Sequence, residues 1–189
     1  MNYMQHQHAG STNIDIGLFN ALSKQSMFST ILDVGCGPGG NVNYCNELGY
    51  KAYGIDGDKD ILPEGSNFQL VDYRVDCSSF KGPFDLCWSV EFAEHIEEKY
   101  ILNFIRDFQK CRHLIFTAAP PGWGGVGHVN EQDENYWIKT LERHNFSLDV
   151  NNTNVIRKIS LLEFDNRIRI PRKQFVRNRG LFFNNLNKI

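Results

Sequence analysis

Four side chains in this sequence are of types that move protons or hold a divalent ion. Glu91, Glu94 and His95 fall within Glu91-Phe-Ala-Glu-His95, and His128 follows in a Gly- and Pro-rich stretch, 118–132. If the first run is helical, Glu91 lies one turn before Glu94 and His95. Close to His128 stand Asn130, Glu131 and Gln132, flanked by Trp123 and Trp137. Three readings of this set are open. His128 or His95 is a general base for an acceptor hydroxyl, since imidazole exchanges protons near neutral pH. Alternatively, Glu91, Glu94, His95 and His128 hold Mg2+ or Mn2+, which would polarise the acceptor oxygens. In the third reading Glu94 and His95 only cap or brace a helix, as carboxylate–histidine pairs often do.

The other chemical feature is Asp33-Val-Gly-Cys-Gly-Pro-Gly-Gly40, between an apolar strand pattern and a helical one. Gly35 and Gly37 permit a tight turn and let backbone approach a ligand. With Gly40 they form G-x-G-x-x-G, which also fits a nicotinamide dinucleotide, and the pattern alone is a weak signal. Asp33 argues against the dinucleotide, because a carboxylate aimed at a pyrophosphate repels it. The same carboxylate favours the ammonium and sulfonium of S-adenosylmethionine. Asp56 ends the next strand, 19 positions after Gly37, and can accept from ribose hydroxyls of either cofactor. Asp76, after a third strand, is placed to accept from an adenine amino group.

Ile31-Leu-Asp-Val-Gly-Cys-Gly-Pro-Gly-Gly40, then Gly54-Ile-Asp56, then an Asp before the Phe84-Asp-Leu86 strand and the Glu94-His95 pair, resemble the class I S-adenosylmethionine-dependent methyltransferases. The likeness runs from about Ile31 to Phe146. It implies that Asp33 and the Gly35, Cys36, Gly37 and Gly39 turn hold the methionine end, Asp56 and Gly57 the ribose, Asp76 and Cys77 the adenine, with Ser89 and Glu91 beside them. Asp58 departs from the pattern, standing where relatives often carry a small polar residue. The Glu-x-x-Glu-His run with a distal His is similar to the metal site of small-RNA 2′-O-methyltransferases, and also to ubiquinone-pathway O-methyltransferases. Methyl transfer to a hydroxyl needs a proton sink, so a small-molecule O-methyltransferase is the first expectation. The alternatives are a nucleic-acid methyltransferase using the metal set and a non-catalytic cofactor-binding subunit.

The elements that must position these residues alternate between strand and helix. Strands are expected at Thr30–Val34, Tyr50–Ile55, Phe68–Val71, Phe84–Val90, His113–Thr117, Phe146–Val150 and Phe175–Phe183, and helices at Ile14–Phe28, Asn41–Leu48, Glu98–Lys110 and Glu134–His144. The fold predicted is α/β and Rossmann-like. Its mostly parallel seven-stranded sheet carries helices on both faces and an antiparallel last strand. One domain over 1–189 is expected, with an N-terminal helical segment (1–28) and an insertion (151–174) before the last strand. In such sheets ligands bind beyond the carboxyl ends of the strands.

The bulk composition excludes several classes. The 189 residues have a net charge of −2, so the whole molecule does not attract nucleic acid or an anionic membrane by charge. Arg157 to Lys188 is the exception, with nine basic residues against Glu163 and Asp165. This stretch reads first as a solvated strand face and second as a phosphate-binding stripe. No apolar run approaches a bilayer span, the polar start lacks a secretory pattern, and five cysteines without C-x-x-C spacing form neither a disulfide framework nor a thiolate metal site. A cytoplasmic setting is expected.

Overall fold

The computed structural model describes residues 12–25, 28–164 and 166–188. In chain order these form β1 (Ile14–Asp15), α1 (Ile16–Gln25), β2 (Thr30–Val34), α2 (Gly40–Glu47), β3 (Lys51–Asp56), β4 (Phe68–Leu70), β5 (Phe84–Val90), α3 (Ile101–Phe108), β6 (Cys111–Thr117), α4 (Glu134–Glu142), β7 (Phe146–Leu148), α5 (Val150–Ile159), β8 (Leu162–Phe164), β9 (Arg167–Ile168), α6 (Phe175–Arg179) and β10 (Leu181–Asn185). Seven strands make one sheet in the order β4-β3-β2-β5-β6-β10-β7. The first five in that order pair in parallel, while β10 runs antiparallel to both β6 and β7. This is the Rossmann-like architecture the alternating pattern predicts.

Side chains from both sheet faces enter a core, which is why the central strands are nearly continuous in apolar residues. On β6, Leu114 and Phe116 join a cluster with Phe104 and Phe108 of α3 and Trp137 and Leu141 of α4. Ile115 points the other way, into a cluster with Leu18 and Phe19 of α1, Val42 of α2, Ile156 of α5 and Val176 of α6. On α3, Ile101, Phe104, Ile105 and Phe108 recur at helical spacing and are all buried.

The C-terminal third differs from expectation. Phe175–Phe183 is not one strand: Phe175–Arg179 is a helix, Gly180 is extended, and the strand begins at Leu181. Val176 is pulled into the core, and the Arg177 guanidinium donates to the Ser160 carbonyl, so the helical geometry is fixed by partners distant in sequence. Most of the expected 151–174 insertion is framework. Within α5, the Thr153 hydroxyl accepts from the Phe182 amide, and β8 and β9 form a second, small sheet with β1.

The expected helix at Ile14–Phe28 is shorter as well. Ile14 and Asp15 pair with Glu163 and Leu162 instead. Buried Asp15 then accepts from the amides of Leu18 and Leu161 and from the Ser160 hydroxyl. Residues 1–11 of the expected N-terminal segment, with 26 and 27, lie outside the described residues. The expected Glu98–Lys110 helix opens as a 3₁₀ turn at Glu98–Tyr100 and is α-helical only from Ile101. No described helix is long and apolar enough to cross a membrane.

Candidate active site

The glycine turn leaves β2 and leads into α2. Its first amides, from Gly35 and Cys36, donate to the Ile55 carbonyl of β3, and the Gly37 amide donates to Asp56 Oδ2 at 2.8 Å. The other oxygen of Asp56 accepts from the Asp58 amide at 2.9 Å. The 19-residue spacing noted in the sequence is therefore a direct hydrogen bond that ties the turn to the end of the neighbouring strand. Gly37 sits at φ +53°, and a Cβ built on it would meet nothing within 4 Å. The space above this residue is open.

Below the turn, Asp33 is 2% exposed, and its Oδ2 has no hydrogen-bond partner among the described residues. Burial, reinforced by the nearby Asp56 carboxylate, raises its pKa well above the ordinary range, with the Asn41 side chain opposing. A buried carboxylate without a cation is costly by itself, and the folded chain then holds a proton that the unfolded chain releases near pH 4. Stability should therefore fall as pH rises from about 4 toward the raised folded pKa. Asp33→Asn is expected to flatten that slope and to stabilise the ligand-free protein by about 1–3 kcal/mol at pH 8, with little change at pH 4. Thermal melts at the two pH values check this, and an unchanged slope would mean that the Asp33 charge is already compensated.

A cleft of ≈ 220 Å³ runs from Gly57 and Asp72 past Phe92 to His95 and Val129. It joins the end of β3 to His95. Asp72 and Tyr73, just beyond β4, line it and carry no motif that marks them in the sequence. Asp76 and Cys77 are not among its lining residues. Asp76 is exposed, paired with Arg106 and hydrogen-bonded to the Cys77 amide, and these contacts lower its pKa. Cys36 and Ser89 point inward: Cys36 packs in the core, and the Ser89 hydroxyl is fully buried without a partner among the described residues. Thr12, also unanticipated, accepts from the Gly40 amide at the start of α2.

At the opposite end, Glu94 follows β5 in a 3₁₀ turn, Ala93–His95. Its side chain is fully buried, neither carboxylate oxygen has a hydrogen-bond partner among the described residues, and burial followed by the Glu91 charge pushes its pKa up to about 8. The Glu94 carbonyl accepts from the amides of Val129 and Asn130, pinning the 118–132 loop to this turn. The pinning brings the His95 and His128 rings edge to face, centroids 4.9 Å apart. One ligating atom each from Glu94, His95 and His128 lie within 4.8 Å of one another.

His128 Nδ1 lies 2.7 Å from Glu131 Oε1, and the Glu131 carboxylate also accepts from the amides of Gly122 and Gly124. These contacts, the His128 bond foremost, depress the Glu131 pKa. A carboxylate only accepts, so Nδ1 carries a proton, and in the neutral ring the lone pair is then on Nε2. A Cβ at Gly125 would come within 2.3 Å of His128 Nε2, so glycine there makes room for the ring.

The structure separates Glu91 from the expected metal set. Its carboxylate accepts from the Thr117 hydroxyl at 2.7 Å and is ion-paired with Arg179 of α6. Arg179 also donates to the Ala118 carbonyl and lies over the Trp123 ring. Three of the four expected ligands thus converge, and the fourth is held by an arginine 88 residues away.

The methyltransferase-domain family model matches residues 4–123 of the chain. The chain belongs to the class I S-adenosylmethionine-dependent methyltransferases. Among curated proteins, this methyltransferase is 26% identical over 129 residues to the 2-methyl-6-phytyl-1,4-hydroquinone methyltransferase of Synechocystis, covering 61% of this chain and 38% of that one. It is 29% identical over 112 residues to the chloroplastic tocopherol O-methyltransferase of Arabidopsis thaliana, covering 52% of this chain and 30% of that one. The chain thus spans well under half the length of these two curated relatives. Its fold matches the magnesium protoporphyrin IX methyltransferase of Synechocystis solved with bound S-adenosylhomocysteine (TM-score 0.58, 16% identity, 89% of this chain and 80% of that one).

Proposed function

We propose that this methyltransferase transfers a methyl group to an oxygen of a small molecule, in a reducing, cytoplasmic setting in keeping with its five free cysteines. The observation that carries the proposal is the Glu131–His128 pair packed against His95, which lines the cleft that reaches Gly57. The names of the two curated relatives, which act on a hydroquinone and on tocopherol, support an oxygen-bearing acceptor.

The residues present fit S-adenosylmethionine. Asp33 offers a buried carboxyl group with an unpartnered oxygen below an open glycine turn, one whose ionised form a cationic ligand would favour, and Asp56 holds that turn while keeping further acceptor capacity. When bound, the cofactor supplies an activated methyl group and needs no covalent help. What remains for the chain is alignment, exclusion of water and disposal of one proton. Phe92 and Val129 wall the cleft, and His128 takes the acceptor proton at Nε2 while Glu131 steadies the imidazolium. Asp76, Cys77, Ser89 and Glu91 then act at most through neighbours.

A metal-assisted reading has one observation in its favour, the buried Glu94 carboxylate without a partner beside two histidines. Glu94, His95 and His128 would hold Mg2+ or Mn2+, which would polarise the acceptor oxygen.

Calorimetry with S-adenosylhomocysteine and with NAD tests the cofactor assignment, and mass spectrometry of cell extract given isotope-labelled cofactor identifies the methylated product. Micromolar S-adenosylhomocysteine binding without NAD binding is expected, and the reverse would end the proposal. Asp56→Ala should weaken that binding by about 1.5–3 kcal/mol, the scale of charge-assisted hydrogen bonds. A loss of a few tenths would remove Asp56 from the cofactor site.

A further inference from the structure

Residues 166–179 contain six basic residues and no acidic one. The fold divides them sharply. Arg177 is spent on the Ser160 carbonyl, and Arg179 on Glu91 and the Ala118 carbonyl. The remaining four, Arg167, Arg169, Arg172 and Lys173, lie on β9 and the turn after it. Arg172 stacks on Trp123 of the histidine-bearing loop, and Arg169 on Phe164. Neither Arg167 nor Lys173 forms an ion pair among the described residues.

These side chains frame a recess of ≈ 490 Å³ lined by Phe164, Arg167, Ile168, Arg169, Ile170 and Lys173. Among the described residues its lining combines three cations with three apolar residues and includes no carboxylate. Ile168 and Ile170 are 52% and 63% exposed. A merely solvated basic face has no need of exposed isoleucines between its arginines, and a phosphate-backbone groove has no need of an aliphatic floor.

We infer that this recess binds an amphiphilic anion, an apolar chain or ring ending in a single carboxylate or phosphate. The two kinds of wall match the two ends of such a molecule: methylene groups cover Ile168, Ile170 and Phe164, while Arg167 and Lys173 take the head group. Arg172, next in sequence to Lys173 of the recess, stacks on Trp123 of the loop that carries His128 and so ties the two segments together. The occupant of the recess is the methyl acceptor, a step that rests on the methyltransferase reading above.

Calorimetry on the full chain with dodecanoate and dodecyl phosphate, each below its micelle concentration, tests the site. Both should bind at least tenfold more tightly than dodecyltrimethylammonium or inorganic phosphate, and the better of the two names the head group. Raising salt should weaken both. Arg167→Glu combined with Lys173→Glu should reduce binding at least tenfold, while Arg167→Lys should retain most of it. S-adenosylhomocysteine affinity, measured on the same samples, should be unchanged in all variants. It reports separately on folding and on the methyltransferase reading. Equal binding of the cationic detergent, or unchanged binding in the double variant, would overturn the inference. So would tighter binding of single-stranded RNA or of phosphatidylglycerol vesicles than of either monomeric anion, since the surface would then serve a polymer or a bilayer.

Discussion

Gly37→Val is expected to abolish binding of S-adenosylhomocysteine while leaving a folded protein. The residue adopts φ +53°, where a β-branched side chain is strained by roughly 1–2 kcal/mol. Against a domain stability of about 5–15 kcal/mol that strain is tolerable. In the ligand-free chain the new side chain enters empty space, since nothing lies within 4 Å of the added Cβ. The same space is what a ligand needs in order to approach both the turn and Asp33. A micromolar complex is worth about 8 kcal/mol, and displacing the ligand from its backbone contacts forfeits most of it. Gly37→Ala separates strain from occupancy, and should melt within a few degrees of the parent and bind measurably but weakly. Normal calorimetric binding by the valine variant would reduce the turn to ordinary chain reversal.

The second large effect concerns His128. His128→Ala should lower turnover by about 10²-fold or more, the range for losing a general base, with cofactor affinity within a few-fold. The ring is held by Glu131 and has room only because residue 125 is glycine, so Gly125→Ala should reproduce part of the defect through displacement alone. Chelation divides the two chemical readings. If EDTA stops methyl incorporation and manganese restores it, Glu94, His95 and His128 hold an ion, and Glu94→Gln should then match His128→Ala. If EDTA has no effect, His128 acts as the base. Full activity in both His128→Ala and His95→Ala would leave acceptor positioning as the remaining chemistry.

How far the sequence revealed this arrangement depends on how local each signal was. Thr30–Val34 and Phe84–Val90 have the predicted boundaries because buried parallel strands are continuous apolar runs bounded by breakers. The place of Asp56 at a strand end and of Gly37 in the turn after the neighbouring strand was legible from pattern, whereas the hydrogen bond between them was not. The acid on the nucleoside side was harder to place. β4 is only three residues long, so Asp72 and Asp76 both follow it closely, and only the fold puts Asp72 at the cleft while Asp76 pairs with Arg106. Phe175–Phe183 resembles a strand by composition, although Gly180 marks the break between helix and strand. The capture of Glu91 by Arg179 had no local signature, because the two meet only once α6 packs beside β6.

The placement of Trp123 makes the 118–132 loop optically readable. The chain has three tryptophans, of which Trp88 and Trp137 are sealed in the two cores. Trp123 is partly exposed, and two guanidinium groups, from Arg172 and Arg179, lie within 4.6 Å of its ring centre. Loosening this cationic clasp would move one indole into water while its two companions stay in an unchanging apolar environment. Emission from the unmodified protein would then carry a constant background from the core and a variable component from the loop. A red shift on adding an acceptor, absent with cofactor alone, would time the loop's motion without any attached dye.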